Sequence, residues 1–125
     1  MITAAEQITA TAIAIGPMLP VVYIGSRLNM YSPTVVVDGE LLSLRLDLSN
    51  HSPSGFDWGY RGSGPAQLAL AILSHHCGSD EQRAIDHYQE FKRLIIALID
   101  ADSWVMSSQF VEDELQAIEV WKAKL

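Results

Sequence analysis

Apolar and polar positions change their period several times along the chain. Leu42, Leu44, Leu46 and Leu48 alternate with Ser43, Arg45, Asp47 and Ser49. A period of two predicts a strand with one face buried. Upstream, Val21-Val-Tyr-Ile24 (ended by Gly25) and Thr34-Val-Val-Val37 are β-branched and aromatic runs that read as two more strands. Asp38-Gly39 between apolar runs predicts a tight type I′ hairpin, because that turn needs two residues at positive φ. From Ala66 to Leu73 the alternation stops, and Gln67 is the only polar side chain. A helix that is apolar on every face is a buried one.

The helix Pro65–Cys77 is therefore expected at the centre of the fold. Pro65 sits at its first position, Ser63 or Gly64 caps it, and Gly78 stops it. Ser79-Asp-Glu-Gln82 fits a capping box. It opens a helix of about Asp80 to Leu98 with Ala84, Ile85, Tyr88, Phe91, Ile95 and Leu98 on one side. Ser103 to Met106 is long enough for a strand. Ser107 or Ser108 caps a last helix reaching about Ala123, with Val111, Leu115, Ile118 and Leu125 along one side. The expected fold class is α+β: a small antiparallel β-sheet of about four strands, one face covered by about three helices. Residues 21–125 form a single domain. Residues 1–20 read as an N-terminal arm, helical or loosely packed, and an apolar arm of this kind can serve as an oligomer contact.

Composition narrows the function classes. The chain has 125 residues, about half of them apolar, and a formal net charge of −7. It is one domain's worth of sequence, with enough apolar residues for a core. The acidic balance argues against non-specific nucleic-acid binding, which needs Lys and Arg to displace counterions. It permits a small anion held by one local cation, or a basic protein partner. Cys77 is the only cysteine, so an intramolecular disulfide and four-cysteine zinc sites are excluded. No secretory signal is visible and no run approaches the length of a membrane span. A cytoplasmic protein without membrane contact is expected.

The stretch Phe56–Gly64 is the place to look for a site. Arg61 is the only Lys, Arg, Asp or Glu between Asp57 and Asp80, and it precedes Gly62-Ser63-Gly64 at a helix start. Exposed N–H groups, a helix dipole and a guanidinium converge there. Trp58 and Tyr60 offer stacking faces. The candidate ligand-binding residues are Trp58, Tyr60, Arg61, Ser63 and Gln67. The same residues also make sense as packing: Trp58 and Tyr60 brace the loop, the glycines permit close approach, and Arg61 pairs with Asp57 or a carbonyl. The segment is neither a Walker motif nor a dinucleotide fingerprint. His75-His76-Cys77, with His87 or His51, suggests a metal, but adjacent helical side chains point about 100° apart. Cys77 as a nucleophile competes with Cys77 as a small buried residue. Asp47, Asp57 and His51 flank one loop and are the available acid–base set. Glu112-Asp113-Glu114 suits a solvated helix start. No catalytic residue, metal or cofactor is assigned.

The run Leu46-x-Leu48-x3-Ser52-Pro53-x-Gly55-Phe56-x-Trp58-Gly59-Tyr60-x-Gly62-Ser63-Gly64-Pro65-Ala66-Gln67-Leu68-Ala69-Leu70-Ala71, followed by His87-Tyr88-Gln89-x-Phe91-Lys92 and Trp104, resembles a family of small bacterial, archaeal and phage proteins known as a domain of unknown function. The resemblance runs from about Val21 to Val111. It brings no activity or cofactor. Its presence on phages and mobile elements implies, by association alone, a role in conflict between host and phage. Arg61 stands where that family often has glycine, so the shared feature is the backbone turn. The expected function is a non-enzymatic binding module for a partner protein or a small anionic, nucleotide-like ligand, with inhibition of a bacterial defence system as one such role. The alternatives are a small metal-dependent hydrolase or nuclease using Asp57 and His51, and a homo-oligomeric structural protein held by the arm.

Overall fold

The computed structural model describes residues 21–27 and 33–125. The proposed arm, residues 1–20, lies outside the described residues. The element order is β1 (Val22–Ser26), β2 (Thr34–Val37), β3 (Glu40–Leu41), α1 (Ser63–Cys77), α2 (Glu81–Leu94), a 3-10 turn (Ile96–Leu98), β4 (Ser103–Ser107) and α3 (Ser108–Ala123). The strands form one antiparallel sheet in the order β3-β2-β1-β4. The fold is α+β, with α1 buried between the sheet's inner face and the other helices. No described helix is long and apolar enough to cross a membrane.

The inner face of the sheet follows from strand parity. Tyr23 lies opposite both Val37 and Met106, and Gly25 lies opposite Val35 and Trp104. Tyr23, Val35, Val37 and Met106 are buried and share one apolar cluster with Leu68, Ile72 and Leu73 of α1. Gly25 has a specific reason to be glycine. The Trp104 indole lies across it, and an added Cβ would meet that ring at 2.2 Å. Trp104 in turn meets Trp58 edge-on, with centroids 5.4 Å apart. The Asp38-Gly39 turn forms as expected, with φ of 54° and 80°.

Helix α1 is buried from Gly64 to Ser74. It begins earlier than expected. Gly62 is its N-cap, not Ser63 or Gly64, and no side chain caps it. Pro65 falls third in the first turn, where its missing N–H still leaves no helical bond unmade. Asp80, not Ser79, caps α2, accepting from the Arg83 N–H at 3.2 Å. Helix α2 ends at Leu94, short of the expected Leu98. Ser107 caps α3 through the Phe110 N–H. Val111, Leu115 and Ile118 are buried in α3, whereas Leu125 is exposed.

The alternating leucines do not make the expected strand. Strand β3 is only Glu40–Leu41. Arg45 takes a left-handed conformation (φ 54°), and the Leu48 N–H closes a turn onto its carbonyl. The guanidinium of Arg45 clasps Asp47 and reaches Glu81 at the start of α2. These contacts reward a turn over a strand. Leu42 is buried, Leu44 packs against the core, and Leu46 faces solvent.

Gln67 replaces the missing ladder. It is fully buried, and its amide is completely satisfied by the 44–52 backbone. Nε2 donates to the carbonyls of Leu44 (2.6 Å) and Ser49 (3.0 Å). Oε1 accepts from the N–H groups of His51 (2.7 Å) and Ser52 (2.9 Å). This uses every donor and acceptor a glutamine side chain has.

Two predictions test this packing. Gln67→Leu strands two carbonyls and two N–H groups. At about 1–3 kcal/mol for each group that stays unsatisfied, it should lower unfolding stability by more than ~3 kcal/mol in urea titrations, while Gln109→Ala on the surface should change it little. Gly25→Ala should cost about 1–3 kcal/mol through overpacking. That cost should shrink in a Trp104→Leu background when the four proteins are compared as a double-mutant cycle.

Candidate functional site

The loop from residue 42 to residue 62 carries Trp58, Tyr60 and Arg61 of the predicted site, Ser63 and Gln67 lie in α1, and Arg27 holds the loop in place. Arg27 is the residue immediately after β1. Its Nη1 donates to Asp57 Oδ1 (2.6 Å) and to the Trp58 carbonyl (3.0 Å), and its Nε donates to Asp102 Oδ1 (3.1 Å). The guanidinium carbon also lies 4.8 Å from the centre of the Trp58 ring. Burial opposes its charge, but the carboxylates of Asp102 and Asp57 outweigh burial and raise its pKa. Asp57 pairs with Arg27 and not with Arg61, which is exposed.

The five predicted residues fall into different settings. Trp58 is fully buried, and its Nε1 donates to the Ala101 carbonyl at 2.8 Å. Gln67 is the buried clasp described above. Tyr60 is about half exposed and donates to Asp57 Oδ2 at 3.1 Å. Its phenol pKa is raised by burial and then by Asp57. Arg61 and Ser63 face solvent. A cleft of about 380 Å³ opens here, lined by Ser52, Ser54, Asp57, Tyr60 and Ser63 among others, and its charged group is the Asp57 carboxylate. Arg61, Trp58 and Gln67 do not line it. The glycines are taken up by the chain itself. A Cβ on Gly62 would strike the Tyr60 ring at 2.5 Å, and one on Gly64 would strike Asp57 Cβ at 2.8 Å.

His51, Asp47 and Asp57 each have their own partner. His51 Nε2 meets the Tyr88 hydroxyl at 2.7 Å, Asp47 binds Arg45, and Asp57 binds Arg27. None of the hydrogen bonds found joins two of these three residues. His75 Nδ1 lies 2.8 Å from the Tyr23 hydroxyl, whose pKa burial pushes above its usual value. Cys77 is half-buried, and burial raises its thiol pKa, which disfavours a thiolate. Among the described residues no group of three or more His, Cys, Asp or Glu is placed to hold a metal ion.

A charge network ties the three helices together. Arg83 of α2 donates to Glu112 (3.2 and 3.0 Å) and to Glu119 (2.7 and 2.9 Å) of α3. His76 at the end of α1 meets Glu112 at 2.6 Å. Hydrogen bonds from Arg83, then His76, hold the Glu112 carboxyl down at about 2, and Arg83 also lowers that of Glu119. Both carboxylates stay ionised at neutral pH, so they brace the helices through Arg83.

An apolar surface remains, and the sequence reading did not identify it. A groove of about 560 Å³ runs between the end of α2, β4 and the start of α3, lined by Leu94, Ile95, Leu98, Ile99, Trp104, Val105, Met106, Ser107 and Phe110. Among the described residues none that lines it is charged. Leu98 is 69% exposed and Val105 70%. The reading from sequence placed Leu98 on the buried side of a longer helix. The 3-10 turn after Leu94 rotates it outward. A signal was present: Leu94-Ile-Ile-Ala-Leu-Ile99 is too wide an apolar run for one helical face. The outer face of the sheet is apolar too. Leu41, Val36, Ile24 and Val105 lie opposite one another in register across all four strands.

The Glu112 carboxyl sits below its unfolded value, so its stabilisation is present above about pH 4.5 and is lost as pH falls toward about 2. A shift of this size is worth at most about 3 kcal/mol, and screening at a partly exposed pair reduces this to ~1–2 kcal/mol. Thermal melts should therefore drop between about pH 5 and pH 2, and Glu112→Gln should flatten that part of the profile.

A model of a family of unknown function, DUF6166, matches residues 23–117. No curated protein and no solved structure matches the chain. The matched span runs from Tyr23 in β1 into α3, so it takes in the Gln67 clasp, the Arg27 anchor and the apolar groove. The chain belongs to the DUF6166 family.

Proposed function

We propose that this protein is a non-enzymatic binding module that recognises a protein surface through the apolar groove beside β4. The observation that carries the reading is the groove itself: about 560 Å³, free of charged residues, on a chain whose net charge is −7. Exposed contiguous apolar surface of this kind marks interaction sites. Phe110 and Leu98 supply the aromatic and aliphatic anchors that such contacts use.

The small anionic ligand is the weaker branch. The polar cleft near the predicted loop presents a carboxylate, its glycines are filled by Tyr60 and Asp57, and Arg61 does not line it. Hydrolysis by Asp57 and His51 finds no support in their separate partners. The occurrence of the resembling family on phages and mobile elements suggests a component of bacterial defence as one protein target. That is an association, and it adds no residue to the argument.

A peptide library selected against the protein tests the reading. Selected peptides should be apolar and should shift amide resonances within residues 94–110. Leu98→Glu, at an exposed position, should weaken their binding at least tenfold with the far-UV spectrum unchanged. Peptides or nucleotides that shift only residues 52–64, with binding lost in Arg61→Ala, would move the site to the loop.

A further inference from the structure

Resting on that reading, we propose that the partner at this surface is a second copy of the chain, joined by antiparallel pairing of β4 with β4. Among the described residues strand β4 pairs with β1 on one side only and is an edge of the sheet. Edge strands are normally guarded by lysine, proline or a bulge. Ser103-Trp-Val-Met-Ser107 has no charge and no proline, and its pairing with β1 runs without a bulge.

The register makes this edge self-complementary. At the two ends of the β1–β4 ladder, the Ser108 N–H donates to the Val21 carbonyl (2.8 Å) and the Arg27 N–H donates to the Asp102 carbonyl (2.9 Å). Hydrogen-bonding direction alternates along an antiparallel strand. The backbone groups of residues 102, 104, 106 and 108 therefore face β1, and those of 103, 105 and 107 face the free edge. Val105 is the middle residue of β4. A twofold axis through it lets Val105 of each copy exchange N–H···O=C bonds with its counterpart, and the Ser107 N–H of each copy reaches the Ser103 carbonyl of the other. Strand polarity and residue order are both satisfied by the same sequence facing itself.

The uncharged contact surface admits this occupant. Two chains of charge −7 repel, and the repulsion is least where neither brings a charged side chain to the contact. Neither β4 nor the groove lining has one. A stable interface needs roughly 800 Å² per partner, far more than a strand edge ~17 Å long supplies. Leu94, Leu98 and Phe110 lie beside that edge and are exposed, so the groove adds apolar area to the contact. On the outer face, the row Leu41–Val36–Ile24–Val105 would continue into its copy across the joined sheet.

Light scattering coupled to size exclusion, on the full chain at about 50 µM, should report twice the 13.8 kDa chain mass. The Val105 amide should exchange more slowly as concentration rises. Val105→Pro removes an N–H that faces the free edge, so it should yield the monomer with β1–β4 pairing and the far-UV spectrum retained. Val105→Lys should do the same, and Val105→Thr should remain dimeric. A monomeric wild type, or a dimer that persists in both Val105→Pro and Val105→Lys, overturns the proposal. A bis-ANS titration separates the two readings. A monomer whose bis-ANS fluorescence falls at least twofold in Leu98→Glu keeps the groove as a binding surface and rejects only the second copy. A monomer with no such fall rejects both.

Discussion

One buried amide holds the architecture in place. From Ala66 to Leu73 helix α1 is apolar except for Gln67, and burying an unpaired amide there would cost several kcal/mol. The cost is avoided because two carbonyls and two N–H groups of residues 44–52 arrive at the right places. The dependence runs both ways. The loop has no ladder of its own, so those backbone groups would be stranded without Gln67. Once 44–52 is fixed against α1, Phe56 and Trp58 are delivered to the core a few residues later, and Arg27 can close on Asp57, Trp58 and Asp102. Helix, loop and sheet are thus locked by two polar clasps, one buried and one partly exposed.

This arrangement explains the composition of Phe56–Gly64. Glycines and aromatics in a loop before a helix resemble a phosphate cradle. Here the cradle is filled by the chain's own Tyr60 ring and Asp57 side chain. The loop's chemistry is spent on packing, which leaves the uncharged surface between α2, β4 and α3 as the more informative part of the molecule.

Local signals were legible and long-range ones were not. The Asp38-Gly39 turn, the apolar α1, the Ser107 cap and the order of elements all follow from residues within a few positions of each other. Leu42 to Leu48 misled, because the partners that bend it lie far away: Glu81 draws on Arg45, and Gln67 takes the Leu44 carbonyl. Arg27 was invisible for the same reason. Nothing nearby marks it, and its ligands are 30 and 75 residues on. Gln67 was noticed as the one polar residue in an apolar helix. Its polarity was right to flag, but its partner is the backbone of its own chain. Leu98 failed on phase, since the 3-10 turn breaks the helical count that had placed it inside.

The strand order has a consequence for how the chain is made. The first three strands are neighbours in sequence, but β1 receives its second neighbour only when Ser103–Ser107 arrives, after both α1 and α2. During synthesis β1 leaves the ribosome some eighty residues before β4. Through that interval its Val22-Tyr-Ile24 backbone is an open template on the side β4 will occupy, beside an Arg27 that still lacks Asp102. Completion of the sheet is therefore a late event that waits for nearly the whole domain, and the nascent chain is most exposed to mispairing just before β4 emerges.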